Sequence, residues 1–481
     1  MIDVLAVAVG VGDSCLEFIR KSSETVKASV SDDADHLSRR RNVLLKVGFA
    51  KRSISPPIGA PLAGFAARQG VCEGIHDELF ARALVIEDGA AVVALVSLDL
   101  LAVASEFVEE TRRAIGARVP IEPAAILIAS THTHAGPVTV SAFFNPDESL
   151  DRRYMDLLRN AIVESVETAW QSRFPARVGI GTGTIEGLGV NRRSPDGQPV
   201  DREIGIVKVD DAHGRTKAVL INYACHPTVL GPDNLLASGD FPAPAIGRME
   251  ERLGDGSFAM YVNGAQGDIS VGHSSELSAI GVITPGRTFA RARELGHQLG
   301  DSVLNAFPGI ATHGSARLRF GTLVADFALK PSPSPAETAK ALQEAQKRVN
   351  ELPPNDASPE YRQAKSELLY SSIIHFYARQ ATKYENGQLP MELQAIQIGD
   401  SVFVAVPAEV FVEIGMRLKN TDGLRTFVAG VTNGYIGYLP TRRAFETGGY
   451  EVVSARCGPD AEDRLVEGVK RLKETLGLTN G

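Results

Sequence analysis

Short apolar runs alternate with amphipathic stretches along most of this chain. The runs are rich in Val, Ile and Ala, are of strand length, and break at Asp, Asn, Pro, Gly or His. Between several of them, stretches such as RRYMDLLRNAIVESVETAWQSR place apolar residues three and four positions apart, which is typical of helices with one buried face. Because the strands are almost uniformly apolar, both of their faces should be buried. The pattern predicts an α/β fold, with mixed sheets covered by flanking helices.

Two segments depart from this regular pattern. Residues 1–44 carry the polar run SSETVKASVSDDADHLSRRR, and we predict an N-terminal extension that is a candidate for disorder. Its removal should leave folding and activity intact, because a terminus outside the core is usually dispensable. Residues 331–386 begin and break at prolines and carry Ala- and Gln-rich helical repeats. We predict that they form a helical insertion packed on the outside of one domain at 45–481, with a partner-binding arm as the alternative.

The composition is that of a soluble globular protein, and it excludes several kinds of partner. The 481 residues are 44% hydrophobic and 22% charged, and the formal net charge is −8. This charge gives no basic field for nucleic acid. No apolar segment reaches the roughly 18 residues that span a bilayer. The first apolar stretch follows Asp3 and has no Lys or Arg before it, unlike a signal peptide, so we expect a cytoplasmic protein.

Side chains that bind metals or transfer protons come just after several of the apolar runs. In open α/β sheets the carboxyl ends of strands form the ligand crevice, so these side chains should converge on one site. They are His132 and His134, His226, Asp268 and Ser270, Glu409, Tyr435 and Tyr438.

The strongest of these signals is the His-x-His pair of His132 and His134. Residues two apart in an extended chain point the same way, which would bring both imidazoles to one side. Two such imidazoles suit either a zinc ion or an acid–base pair. Taken singly, the residues also have structural interpretations: Glu409 fits the first turn of a helix, and Tyr438 fits a core.

Seven motifs, in chain order, resemble those of the neutral (non-lysosomal) ceramidase family and its smaller relatives. They are GIHDELFARALVIED, SLDLL, THTHAGP, NYACHPTVLG with SGDFP, NGAQGDIS, VPAE and NGYIGYLPTRRAFETGGYE. The resemblance spans about residues 45–455 and lacks that family's C-terminal β-sandwich domain. It implies a zinc-dependent amidohydrolase of sphingolipid metabolism, in which metal-activated water cleaves the amide bond of a ceramide-like N-acyl amine.

The resemblance also implies roles for individual residues. The zinc ligands that it assigns are His132, His226, Glu409 and Tyr438, and this N/O set leaves a position for water. The other site residues that it implies are His134 and Tyr450, which would stabilise the oxyanion, Ser270, and Arg192, which is preferred to its neighbour Arg193 because it directly follows Asn191. Asp268 is a further candidate, which would orient this chemistry.

Three alternatives stay open at this point. A zinc-dependent esterase or lactonase would use the same site on a small substrate, because the same hydroxide attacks an ester. A serine hydrolase would use Ser270 as its nucleophile, although GAQGDIS lacks the G-x-S-x-G elbow. A purely structural zinc is the third, but such sites are usually closed and rich in cysteine.

Overall fold

The computed structural model describes residues 26–29, 45–144, 149–420 and 424–478. The predicted α/β fold with mixed sheets is confirmed. The strands of the described residues are β1 (Val26–Ser29), β2 (Lys46–Ser53), β3 (Gly74–Ile75), β4 (Phe80–Glu87), β5 (Val92–Leu98), β6 (Ile126–Ser130), β7 (Phe174–Thr184), β8 (Val190–Asn191), β9 (Glu203–Asp211), β10 (Thr216–Tyr223), β11 (Leu236–Ala237), β12 (Phe258–Asn263), β13 (Ile269–Ser270), β14 (Leu318–Ala328), β15 (Gln388–Ile398), β16 (Ser401–Ala405), β17 (Glu409–Val410), β18 (Arg425–Ala429) and β19 (Tyr438–Leu439).

The helices lie between these strands and after the last of them. They are α1 (Ser105–Gly116), α2 (Arg152–Gln171), α3 (Pro242–Leu253), α4 (Ser275–Ala279), α5 (Phe289–Ala306), α6 (Pro335–Glu351), α7 (Pro359–Ala381), α8 (Val412–Lys419), α9 (Ala444–Thr447), α10 (Tyr450–Val453) and α11 (Ala461–Thr475). Among the described residues, no helix combines the length and the apolarity that a membrane crossing requires.

Two large sheets form the centre of the molecule. The eight-stranded sheet has the order β12-β10-β9-β7-β2-β4-β5-β6, and the five-stranded sheet has the order β1-β14-β15-β16-β18. Most neighbours are antiparallel, but β5 with β6, β10 with β12, and β16 with β18 are parallel. Both sheets are therefore mixed, as the sequence predicts.

The two sheets pack face to face, and helices cover their outer faces. In β16 the side chains of Phe403 and Ala405 lie in the core that the two sheets share. The alternate residues Val402 and Val404 pack in a second core with residues of α8 and α11, because successive side chains of a strand point to opposite faces. On the eight-stranded sheet, α2 covers β2 and β4, while α3 and α5 pack near β12 and β7. Burial on both faces explains the uniformly apolar strands.

The two irregular segments of the sequence take different places in this fold. Most of the predicted N-terminal extension, residues 1–25 and 30–44, lies outside the described residues. Its residues Val26–Ser29 form β1, which pairs with β14 at the edge of the five-stranded sheet. Residues 331–386 connect the antiparallel neighbours β14 and β15 and hold α6 and α7. In α7, Leu369 and Ile373 pack in a cluster that also contains Tyr450.

Candidate active site

The ends of strands from both large sheets meet at one buried place. His132 follows β6 and His226 follows β10 in the eight-stranded sheet, whereas Glu409 follows β16 in the five-stranded sheet. These three residues are almost fully buried, at 1%, 0% and 1% exposure. The Nε2 atoms of His132 and His226 lie 3.3 and 2.8 Å from the same oxygen, Oε2 of Glu409. The fold thus brings together three of the four predicted metal ligands.

The backbone turns sharply at His132, where φ is +69°. A residue other than glycine rarely adopts this conformation, which costs on the order of 1 kcal/mol or more. The prediction that an extended chain aligns His132 with His134 is wrong in its geometry, since β6 ends at Ser130. Their rings nevertheless lie 5.1 Å apart, because this turn redirects the chain after the strand. Strain at such a position is typical of functional sites.

Backbone carbonyls orient the imidazoles of His132 and His226. Nδ1 of His132 lies 2.8 Å from the carbonyl oxygen of Leu101, and Nδ1 of His226 lies 2.7 Å from that of Gln266. A carbonyl only accepts, so the hydrogen-bond network assigns the proton to Nδ1 in both rings. Burial and the charge of Arg192 lower the pKa of His226 to about 4, which keeps its imidazole neutral at neutral pH.

In this arrangement, lone pairs of two imidazole nitrogens and one carboxylate oxygen face one another, and a metal cation could bind all three. With the proton on Nδ1, each Nε2 presents a lone pair to the carboxylate of Glu409, which is itself an acceptor. Three acceptors at these short distances repel one another unless a proton or a metal cation lies between them. Two imidazoles and a carboxylate are the donor set of many catalytic zinc sites, and carbonyls behind the imidazoles are the usual outer partners. The residues therefore fit a zinc ion.

His134 lies beside this group, but its surroundings differ. One ring nitrogen from each of His134, His132 and His226 lies within 4.8 Å of the other two. Both ring nitrogens are buried, and neither has a hydrogen-bond partner among the described residues. Burial and the neighbouring His132 hold the pKa of His134 well below its usual value, so its ring is neutral. A neutral imidazole with two unused nitrogens is suited to contact a substrate or a metal.

Two tyrosines and an arginine complete the group. The guanidinium of Arg192 donates to the hydroxyl oxygen of Tyr438 at 3.0 Å, and the Tyr438 ring lies 6.3 Å from that of His226. The ring of Tyr450 is 5.9 Å from that of Tyr438. Burial raises the pKa of both phenols, so both hydroxyls stay protonated. Arg193 points instead to the carbonyl of Gly448, which favours Arg192 as the arginine of the site.

Comparison with known proteins shows which family this chain resembles. The family model "Neutral/alkaline non-lysosomal ceramidase, N-terminal" matches residues 45–272. Neutral ceramidase B of Dictyostelium discoideum is 24% identical to this chain, over 86% of it and 70% of that protein. Neutral ceramidase of Mycobacterium tuberculosis is also 24% identical, over 86% of this chain and 74% of its own length. Residues 45–272 belong to the neutral/alkaline ceramidase family. The resemblance inferred from the sequence motifs is confirmed.

The fold of the neutral ceramidases extends beyond the matched residues. The crystal structure of neutral ceramidase from Pseudomonas aeruginosa superimposes with a TM-score of 0.69 at 20% identity, over 90% of this chain and 75% of that one. At this identity the likeness concerns the fold. Over that 90% of the chain, the helices and strands are arranged as in this ceramidase structure.

Asp268 and Ser270, in the family motif NGAQGDIS, support loops of the site. The carboxylate of Asp268 accepts from the side chain of Asn191 and from the amide of Val412, both at 2.8 Å. Burial raises its pKa to about 6. The hydroxyl of Ser270 donates to the carbonyl of His273 at 2.9 Å and accepts from the amide of Gly272. Both partners of Ser270 are backbone groups of its own loop, whereas a serine nucleophile needs a base as its partner.

The structure defines a contact for Tyr435, which the sequence named as a candidate without a role, and adds Glu451, which the sequence did not single out. The hydroxyl of Tyr435 donates to Oε1 of Glu409 at 2.7 Å, on the side of the carboxylate away from the histidines. Glu451, the neighbour of Tyr450 in the ceramidase motif, is 2% exposed and binds Arg192. The position of Tyr435 after an apolar run was a usable signal. For Glu451 the sequence offered only its place beside Tyr450.

Proposed function

We propose that this protein is a zinc-dependent hydrolase that cleaves the amide bond of a ceramide-like N-acyl amine with water. The single observation that carries the proposal is the convergence of His132 Nε2 and His226 Nε2 on one oxygen of Glu409. A metal cation would satisfy this buried group of acceptors. The family of residues 45–272, whose named relatives are ceramidases, supports an amide as the bond that is cleaved.

His132, His226 and Glu409 would hold the zinc ion, with the hydroxyl of Tyr438 as the proposed fourth donor. A zinc ion supplies Lewis acidity, which lowers the pKa of water to about 7 and polarises a substrate carbonyl. The carbonyls of Leu101 and Gln266 fix the two imidazole rings, so that the Nε2 atoms need no reorientation. Glu409 is held in turn by Tyr435.

The other side chains have roles in binding the substrate and stabilising charge. His134 has unused ring nitrogens and is neutral, so its N–H is free to donate to the substrate carbonyl. Tyr450 stays protonated because burial raises its pKa, and it is a second donor for the negative charge that develops on the carbonyl oxygen. Arg192 places a positive charge next to Tyr438 and would stabilise negative charge that develops on this side of the site.

A comparison of bond types tests the proposal. The purified protein is given an N-acyl amine of the ceramide type, the ester with the same acyl chain, and a lactone of similar size. We expect hydrolysis of the amide, and loss of that activity in Glu409→Gln, which keeps the shape of the side chain but not its charge. Cleavage of only the ester or the lactone would replace the amidase by the esterase alternative.

A further inference from the structure

Glu451 is a buried carboxylate whose oxygens are all engaged beside the site. Its side chain is 3% exposed. Oε1 accepts from Nε of Arg192 at 2.8 Å and from the hydroxyl of Ser275 at 2.7 Å. Oε2 accepts from Nη1 of Arg193 at 2.7 Å. One carboxylate therefore holds two consecutive arginines and the first residue of α4.

Arg192 uses its remaining donor group toward the centre of the site. Its Nη2 donates to the hydroxyl of Tyr438 at 3.0 Å and to the carbonyl of Gly267 at 2.9 Å. The guanidinium is planar and rigid, so a bond at Nε fixes the direction in which Nη2 points. The contact with Glu451 thus determines where Arg192 meets Tyr438.

Glu451 is a buried charge, and its contacts compensate for the loss of water around it. A buried carboxylate costs several kcal/mol unless it is paired and hydrogen-bonded, and here two arginines and a serine fulfil that need. Arg192, at 5% exposure, would in turn be an unpaired buried cation without Glu451. Arg193 is more exposed, at 17%, and has further partners in Gly448 and Thr447.

We propose that Glu451 is a positioning residue, which fixes the guanidinium of Arg192 against the hydroxyl of Tyr438. The inference rests on the proposed function, because it concerns the turnover of the amide substrate. Among the described residues, the hydrogen bonds of the Glu451 carboxylate go to Arg192, Arg193 and Ser275 and not to the proposed metal ligands, so Glu451 acts through Arg192.

The test is a double-mutant cycle of Glu451→Gln and Arg192→Ala, with kcat, KM, zinc content and melting temperature measured for each variant. We expect Glu451→Gln to keep zinc and to lower kcat by about 10²-fold with little change in KM, the loss typical of a displaced catalytic group. In the Arg192→Ala background the same change should lower kcat by less than about threefold, because Glu451 acts through the group already removed. Equal losses in both backgrounds would overturn the inference.

Two further variants separate positioning from stability. Glu367→Gln makes the same chemical change at an exposed ion pair with Arg348, and it should leave kcat and melting temperature unchanged. Glu451→Asp keeps the charge but shortens the side chain, so its kcat should lie between those of wild type and Glu451→Gln. If Glu451→Gln does not fold, Glu451→Asp carries the test. A wild-type kcat in Glu451→Asp would then contradict the proposal. A wild-type protein that hydrolyses no amide would instead refute the proposed function, and this inference with it.

Discussion

At the scale of single residues, the two histidines of the His-x-His pair differ in what surrounds their rings. His132 has its Nδ1 tied to a carbonyl and its Nε2 directed at Glu409. His134 lies within reach of the same place, yet its two ring nitrogens have no partner among the described residues. The surroundings of His132 are typical of a metal ligand whose second ring nitrogen is held by a carbonyl. Those of His134 are typical of a group that is available to bind a substrate.

We therefore expect the two alanine variants of the pair to differ. His132→Ala should lose zinc and activity together, because a ligand is removed. His134→Ala should keep zinc and lose turnover by about 10²–10³-fold, which is typical for the loss of one donor to an oxyanion. Zinc content by mass spectrometry, together with kcat, separates these results. A zinc-free His134→Ala protein would show that His134 is a ligand, too.

The sequence pointed to the ligand candidates because each of them follows an apolar run of strand length. The contacts that refine their roles were not. Tyr435 reaches Glu409 across 26 residues, and Glu451 reaches Arg192 across 259, and no local pattern reports such contacts. The left-handed turn at His132 was also hidden, because histidine tolerates this conformation without requiring it and the residue type therefore does not locate such a turn.

At the scale of elements, two segments outside the large sheets pack against side chains of the site. One is the loop after β2, in which Gly64 faces His134. A β-carbon on Gly64 would lie 2.5 Å from Cγ of His134, and φ there is +102°. The other is α7 of the helical insertion, which packs beside Tyr450. The sequence predicted the insertion but placed it simply on the outside, because a helical pattern does not tell which element its apolar face meets.

Gly64→Ala tests the loop, with Gly59→Ala as its matched control. Both glycines have positive φ, at +102° and +89°, so both variants bear a similar backbone cost of about 1–2 kcal/mol. Only the β-carbon at Gly64 would collide with His134, whereas the one at Gly59 meets nothing within 4 Å. We expect Gly64→Ala to lower kcat by at least about tenfold and Gly59→Ala to leave it near wild type. Equal kcat values would show that the loop does not position His134.

Ile373→Ala tests α7, with its neighbour Ile374→Ala as the control. Ile373 is 0% exposed and Ile374 is 36% exposed on the same helix. Ile373→Ala should cost about 2–4 kcal/mol of unfolding free energy and should also lower turnover, since the cavity lies in the cluster that holds Tyr450. Ile374→Ala should change the unfolding free energy by less than about 1 kcal/mol. Denaturant unfolding measures the change in unfolding free energy, and kcat measures turnover. Wild-type turnover in Ile373→Ala would show that α7 contributes to stability without supporting the site.

At the scale of the whole molecule, the site exists only because two sheets meet. His132 and His226 follow strands of the eight-stranded sheet, whereas Glu409 begins β17, just after β16 of the five-stranded sheet. The uniformly apolar runs predicted strands that are buried on both faces, because the composition of a short stretch is enough to indicate this. The pairing of strands 100 or more residues apart, such as β2 with β7, is set by packing that no short window of sequence contains. The effect of deleting residues 1–44 stays a prediction.

The most direct test of this account is the hydrolysis of the ceramide-type amide before chelation, after chelation and after zinc is added back. A cation held by His132, His226 and Glu409 predicts that activity is lost with the metal and returns with about one zinc per chain. In Glu409→Gln the added zinc should restore nothing. Amide hydrolysis that survives complete removal of metal would contradict the account.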